Sequence, residues 1–345
     1  MATLNRTKKE TKTILKWGGI SLVIILLFFT GIRFATFVKQ ILTPPAPPQA
    51  SFGKLSSIPF PDRQKENITY SLDTLSGFLP NFSDRAKVYK IAPTQATLLG
   101  LEKTREKVGK VGFTSSGTQI AEDTYQWVDQ NQPLQRKITI NIFSSDLSLS
   151  SPYLVTPSLQ TFGKDEKENA VEKAKSFLFD ISLFSGDIDE SKTKTSFFSI
   201  GNSTLVPASK ISNAKIVKVD FFQKDVDNLP IYYEDGISST IALLVGKTAN
   251  NFQVVDAKYF HKNISETSST YAIKSALEAF AELQKGNGFI AYKPDGIVEF
   301  AIKEVFLGYY IGEKDQEFLM PIVVFIGNND FVGYVSAIRD EWINN

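Results

Sequence analysis

The chain has 345 residues, 38 Lys and Arg against 37 Asp and Glu, one histidine and no cysteine. Without cysteine there is no disulfide, no thiol nucleophile and no lipid-modified cysteine, and a lone histidine argues against the usual zinc sites. Seven basic residues but only one acid fall in the first 39 positions. The remainder therefore holds 31 basic and 36 acidic residues, a net charge of −5, which argues against nucleic acid or anionic lipid as the main partner.

Residues 1–16 form a basic tail carrying Arg6, Lys8, Lys9, Lys12 and Lys16. The apolar run that follows, 17–38, is interrupted only by Arg33 and as a helix reaches about 33 Å, enough to cross a bilayer core of about 30 Å. The excess of cations before it predicts a single-pass cell-membrane protein with its N-terminus cytoplasmic and everything after Val38 extracytoplasmic. Small residues at a cleavage spacing are missing, since Ala35 follows Arg33 by two positions and Gly31 follows Phe29, so the segment reads as a retained anchor. Gly18 and Gly19 leave a small-residue patch against which another membrane helix can pack. Residues 39–66 carry Pro44, Pro45, Pro47 and Pro48 and read as a stiff, extended linker.

A first α+β domain is expected over 67–160, with strands near 68–72 and 86–91, a helix over 93–110 and strands at 124–128 and 137–143. In the last of these Ile138, Ile140 and Ile142 share one side. A second α+β region, 161–345, divides into possible modules 161–265 and 266–345. Its first helix, 165–184, carries Ala170, Ala174, Phe177, Leu178 and Ile181 as one apolar stripe. Strands follow at 195–200, 215–224, 231–234, 240–245 and 252–261. A third helix, 271–286, is expected to turn Ile273, Leu277, Phe280, Ala281 and Leu283 inward, and strands at 298–310, 318–326 and 331–338 finish the chain. The pattern is α+β: an N-terminal transmembrane helix, then repeated helix-plus-antiparallel-sheet modules.

No motif presents a nucleophile. There is no G-x-S-x-G elbow, and His261, at the end of an expected strand, reads as solvent-facing. Carboxylates are plentiful, but no spacing singles out a pair. Asp235 and Asp295 each precede glycine and read as turn residues. Gly246-Lys247-Thr248 lacks the upstream glycine of a phosphate loop, and Asp225, Asp227 and Asp235 miss calcium-loop spacing. No catalytic, cofactor-binding or metal-binding residue is assigned, and no cofactor is expected. Aromatic residues crowd the last strands. Tyr309 and Tyr310 point to opposite faces, so one of them is expected to be exposed and to offer a partner-binding surface.

With the helix YAIKSALEAFAEL, the strands EVFLGYY and FLMPIVVF, and the stretch AKIVKVDFFQKDVDNLPIYYEDG, residues 165–338 resemble the PepSY-like modules of YycH/YycI-type regulatory proteins. The chain as a whole looks like uncharacterised single-pass bacterial membrane proteins. The resemblance implies an extracytoplasmic regulatory or binding protein that contacts a partner in the membrane or cell envelope, and it implies no catalytic residues. The function expected is thus a membrane-anchored binding or regulatory module without catalysis. The alternatives are an envelope-glycan hydrolase using a carboxylate pair, and a structural component of an envelope or secretion assembly.

Overall fold

The structure is a computed structural model and describes residues 49–345 apart from 63–65, 94–98, 130–133, 157–158, 250 and 345. The tail 1–16, the anchor 17–38 with Gly18 and Gly19, and the first part of the 39–66 linker lie outside the described residues. Among the described residues no helix is long and apolar enough to cross a membrane.

In chain order, β1 (Thr69–Leu72) and β2 (Arg85–Ile91) precede helix α1 (Gly100–Lys110). Strands β3 (Thr118–Ala121), β4 (Thr124–Asp129), β5 (Arg136–Asn141) and β6 (Leu147–Ser150) lead to helix α2 (Lys167–Asp180). Then come β7 (Ile188–Gly201), β8 (Thr204–Pro207), β9 (Ile216–Gln223), β10 (Ile231–Tyr232), β11 (Ile241–Lys247), β12 (Phe252–Tyr259) and β13 (Ile264–Ala272). Helix α3 (Ala276–Gln284) is followed by β14 (Phe289–Tyr292), β15 (Glu299–Tyr310), β16 (Phe318–Gly327) and β17 (Val332–Ser336).

These strands make two sheets. Nine of them run β3-β4-β5-β6-β12-β11-β9-β7-β8, with every neighbouring pair antiparallel. The other eight are built on β1-β15-β16-β17-β14, with β10 parallel to the far end of β15 and β2 joining β13 to the start of β16. The fold is therefore mixed α and β with strands dominating. Its sheets do not divide at residue 160 or 265 as expected. β6 pairs with β12 through Leu149↔Ala257, while β1 and β2 join the C-terminal strands. Pairing over such separations leaves no local periodicity to read.

The two faces of the nine-stranded sheet are covered differently: α1 and α2 lie on one, and on part of the other Leu134, Tyr153 and Leu159 pack over Ile216 and Val255. Ala170, Ala174, Phe177 and Leu178 of α2, with Ile181 just past its end, are all buried, the stripe the helical period predicts. They join Val108 of α1 and one face of the sheet, including Ile138, Val219, Leu243 and Val254, in a single core. In the other sheet β16 is apolar and buried on nearly every residue, as a central strand with both faces covered must be. Helix α3 starts at Ala276, later than expected, because Tyr271 belongs to β13 and Ser275 closes a capping box with Glu278. That start sets the inward set as Ala276, Ala279, Phe280 and Leu283, and leaves Leu277 exposed, contrary to expectation. The linker also differs from expectation. Its later part is folded, with Leu55 and Ile58 buried and Phe52 stacked 5.2 Å from Phe318, because apolar residues alternate there with the prolines.

Candidate functional site

The face of the nine-stranded sheet turned away from α1 and α2 carries side chains of alternating character. Strand register places Asp256, Leu244, Lys218 and Ser196 in one row across four strands, and Lys258, Ala242, Asp220 and Lys194 in the next. Neighbouring strands lie about 4.8 Å apart, so Asp256 and Lys218 stand about 10 Å apart with Leu244 between them. Of these rows Asp256, Leu244, Lys218, Lys258 and Ala242 line a groove of about 470 Å³. Phe198 and Leu205 supply an apolar wall, and Tyr233, Glu234, Asp235 and Glu313 form a polar rim from the β10–β11 and β15–β16 connections.

The charges in the groove are unequally matched. Lys218 Nζ lies 3.1 Å from Asp220 Oδ1 and donates to Ser238 Oγ at 2.5 Å. Asp220 is buried and also accepts from the Ser239 backbone N–H at 3.1 Å; burial raises its pKa, and Lys218 opposes the rise. Lys258 Nζ lies 3.1 Å from Glu313 Oε1, and the Glu313 N–H donates to Glu234 Oε1 at 2.7 Å. Asp256 has no ion pair or hydrogen bond among the described residues. Burial pushes its carboxyl up to about 6, and the charge of Lys258 opposes that rise only in part. At the end of the same face Thr240, 4% exposed, lines the groove with its Oγ1 unpartnered among the described residues.

A second cleft, of about 680 Å³, lies where the chain passes from one sheet to the other, and Asp123, Asp146, His261 and Lys262 are in its lining. His261, expected to face solvent, is buried there: it sits beyond the end of β12, in the crossover to β13, and not on an exposed strand face. Its Nε2 is 2.8 Å from Asp187 Oδ1 and 3.0 Å from Oδ2, and its ring stacks on Tyr259. Gln223 Nε2 donates to Asp187 Oδ2 at 2.8 Å and to the Lys262 carbonyl at 3.1 Å. Burial raises the Asp187 pKa, but the hydrogen bond and charge of His261 outweigh it and hold the carboxyl at about 2. Lys262 Nζ lies 3.8 Å from Asp315 and 3.9 Å from Asp146, whose pKa burial raises. His261, Asp187, Gln223 and Lys262 are joined to one another across the crossover and help fasten the sheets, although Asp146 Oδ1 and Gln223 Oε1 are buried without a hydrogen-bond partner among the described residues.

Neither tyrosine expected to offer a partner surface does so, because both faces of β15 are covered. Tyr309 and Tyr310 are both fully buried. The Tyr309 hydroxyl donates to the Lys87 carbonyl at 3.0 Å, and the Tyr310 ring packs 4.7 Å from Phe60 and 6.1 Å from Tyr334. Asp235 and Asp295 precede glycines at φ +72 and +77, which fits their reading as turn residues. Lys247 binds Glu166 at 2.7 Å. Among the described residues no group of three His, Cys, Asp or Glu could hold a metal ion. Sequence reasoning missed the groove. Its available signal was the pairs Lys218/Asp220 and Asp256/Lys258, charged at period two within strands otherwise apolar.

No family model matches the chain, and no curated protein matches it. Among solved structures, an uncharacterized protein from Eubacterium rectale ATCC 33656 is similar at 13% identity, over 74% of this chain and 84% of that one, with a TM-score of 0.35. The Bacillus megaterium YpeB C-terminal domain is similar at 11% identity, over 72% of this chain and 95% of that one, with a TM-score of 0.33. No shared function follows from scores this low.

Proposed function

We propose that this chain is a membrane-anchored, extracytoplasmic binding or regulatory protein without catalytic activity, built from PepSY-like sheet-and-helix modules, and that it meets a membrane or envelope protein partner through the groove on the helix-free face of its nine-stranded sheet. One observation carries the reading. That face is neither sealed by a helix nor uniformly solvated; it is a groove with an apolar floor, fixed charges and a half-buried carboxylate that no neighbour satisfies. The test is affinity capture from detergent-solubilised membranes with the full chain and with Ala242→Trp, which fills the groove floor. A partner held by the former and lost by the latter, at equal melting temperature, supports the proposal. Capture of nothing, or of the same partner by both, overturns it.

A second reading, hydrolysis of envelope glycan, has its own observation: Asp256, raised to about 6, shares the groove with Glu234, Asp235 and Glu313. Glycosidases use one carboxyl kept protonated beside another kept ionised. Release of reducing ends from purified envelope glycan, abolished by Asp256→Asn, would establish it; equal and negligible release by both forms removes it.

A further inference from the structure

The groove has a floor and a charge pattern that together specify more than a partner surface. Leu244 and Ala242 make the floor apolar between the strands that carry the charges, and Phe198 and Leu205 continue it as a wall. Both lysines are already committed, Lys218 to Asp220 and Ser238, and Lys258 to Glu313. Asp256 is left as a carboxylate without a counter-ion among the described residues, with Asp235 on the rim above the same space. A separate observation points the same way: the buried Thr240 lines this groove with an unpartnered hydroxyl oxygen, a polar group that a ligand donor or a water would satisfy. An apolar channel leading to an unmatched carboxylate is the shape of a site for an alkyl chain ending in a cation.

Resting on the binding reading, we infer that the groove takes a basic side chain of a peptide partner, the aliphatic stem lying on Leu244 and Ala242 and the ammonium or guanidinium meeting Asp256. Anionic ligands are disfavoured by the acids of the rim, and an uncharged alkyl ligand would leave Asp256 unpaired. The partner recognised is therefore a segment presenting lysine or arginine in an extended stretch.

The experiment is isothermal titration calorimetry of the full chain in detergent, at pH 7.5 and low salt. The probes are three blocked tripeptides whose central residue is lysine, arginine or the isosteric but uncharged norleucine. The expected result is saturable binding of the two basic probes and not of the norleucine probe. A charge-assisted contact of this kind is worth about tenfold or more in affinity, and Asp256→Asn should remove it while Glu299→Gln, on the other sheet, leaves it unchanged. Absence of saturable binding by either basic probe, equal binding of the norleucine probe, or equal affinity for Asp256→Asn would overturn the inference. Partner capture that survives in the wild type and fails in Ala242→Trp would leave the broader binding reading standing even then.

Discussion

Asp256→Asn is expected to stabilise the fold at neutral pH and to change it little in acid. Burial raises this carboxyl from its ordinary 3.8 to about 6, so the folded state holds a proton between those values that the unfolded chain has released. For an acid raised in this way stability falls as pH climbs from about 4 to about 6 and stays lower above that. At 1.36 kcal/mol per unit, a rise of this size amounts to about 3 kcal/mol at pH 7.5. The groups facing Asp256 are Lys258 on its own strand, Lys218 on β9, Tyr153 in the segment after β6, and Glu234, Asp235 and Glu313 on the rim. All of these groups remain in the Asn variant, so their own contributions cancel in the comparison with wild type. The assay is urea unfolding of the full chain in detergent, followed by tryptophan fluorescence, which the fully buried Trp127 makes sensitive to this sheet. A gain of similar size at pH 4 and pH 7.5, or a loss at pH 7.5, would refute the reasoning, because an ionisation penalty exists only where the group ionises.

The same assay checks three further outcomes. Asp129 and Arg136 form a buried pair at 2.5 Å, with Arg136 also donating to the carbonyls of Val111 and Val254. Asp129→Ala should therefore cost about 3–5 kcal/mol, and the double change Asp129→Leu with Arg136→Met should cost less than the two single changes together. Asp187 is held at about 2 by His261 and Gln223, so its contribution is present above pH 4 and is lost as pH falls through about 2. Its side chain is 36% exposed, which screens the interaction, and Asp187→Asn should cost only about 1 kcal/mol at pH 7, the gap from wild type closing near pH 2. Gly308 leaves room for β10 beside β15: a Cβ there would meet the Pro230 carbonyl oxygen and the Tyr232 ring at 3.0 Å, and Gly308→Ala should cost about 1–3 kcal/mol.

The elements whose partners are close in sequence were legible. The α2 stripe, the alternation of Ile138 and Ile140, and the unbroken apolar run of β16 each state their burial through period alone. What was hidden depended on partners far along the chain. β13 is mostly polar, SETSSTYA after Ile264, and is a strand because β2 pairs with it across about 180 residues. His261 looked solvent-facing because nothing near it in sequence announces Asp187. Tyr309 and Tyr310 were assigned opposite faces correctly, yet both are covered, since β15 has the main core of its sheet beneath one face and a smaller cluster with Tyr89 and Ile231 over the other. The groove escaped for a related reason: which face of a sheet the helices leave bare is settled only when α1 and α2 choose one.

Two carboxylates on the nine-stranded sheet, treated differently, give the strongest reason to look for a ligand. Asp129, 1% exposed, has Arg136 across a 2.5 Å contact, and the guanidinium spends its remaining donors on backbone carbonyls. This is how a chain buries an acid when stability is all that is required of it. Asp256, on the same sheet, is partly shielded from water, but Lys258 on the same strand is turned to Glu313 and Lys218 in the same row to Asp220. Both cations that could have neutralised Asp256 are thus held by other acids. A sheet able to neutralise one buried acid but leaving a half-buried one to destabilise it carries the mark of a site whose counter-charge arrives from outside.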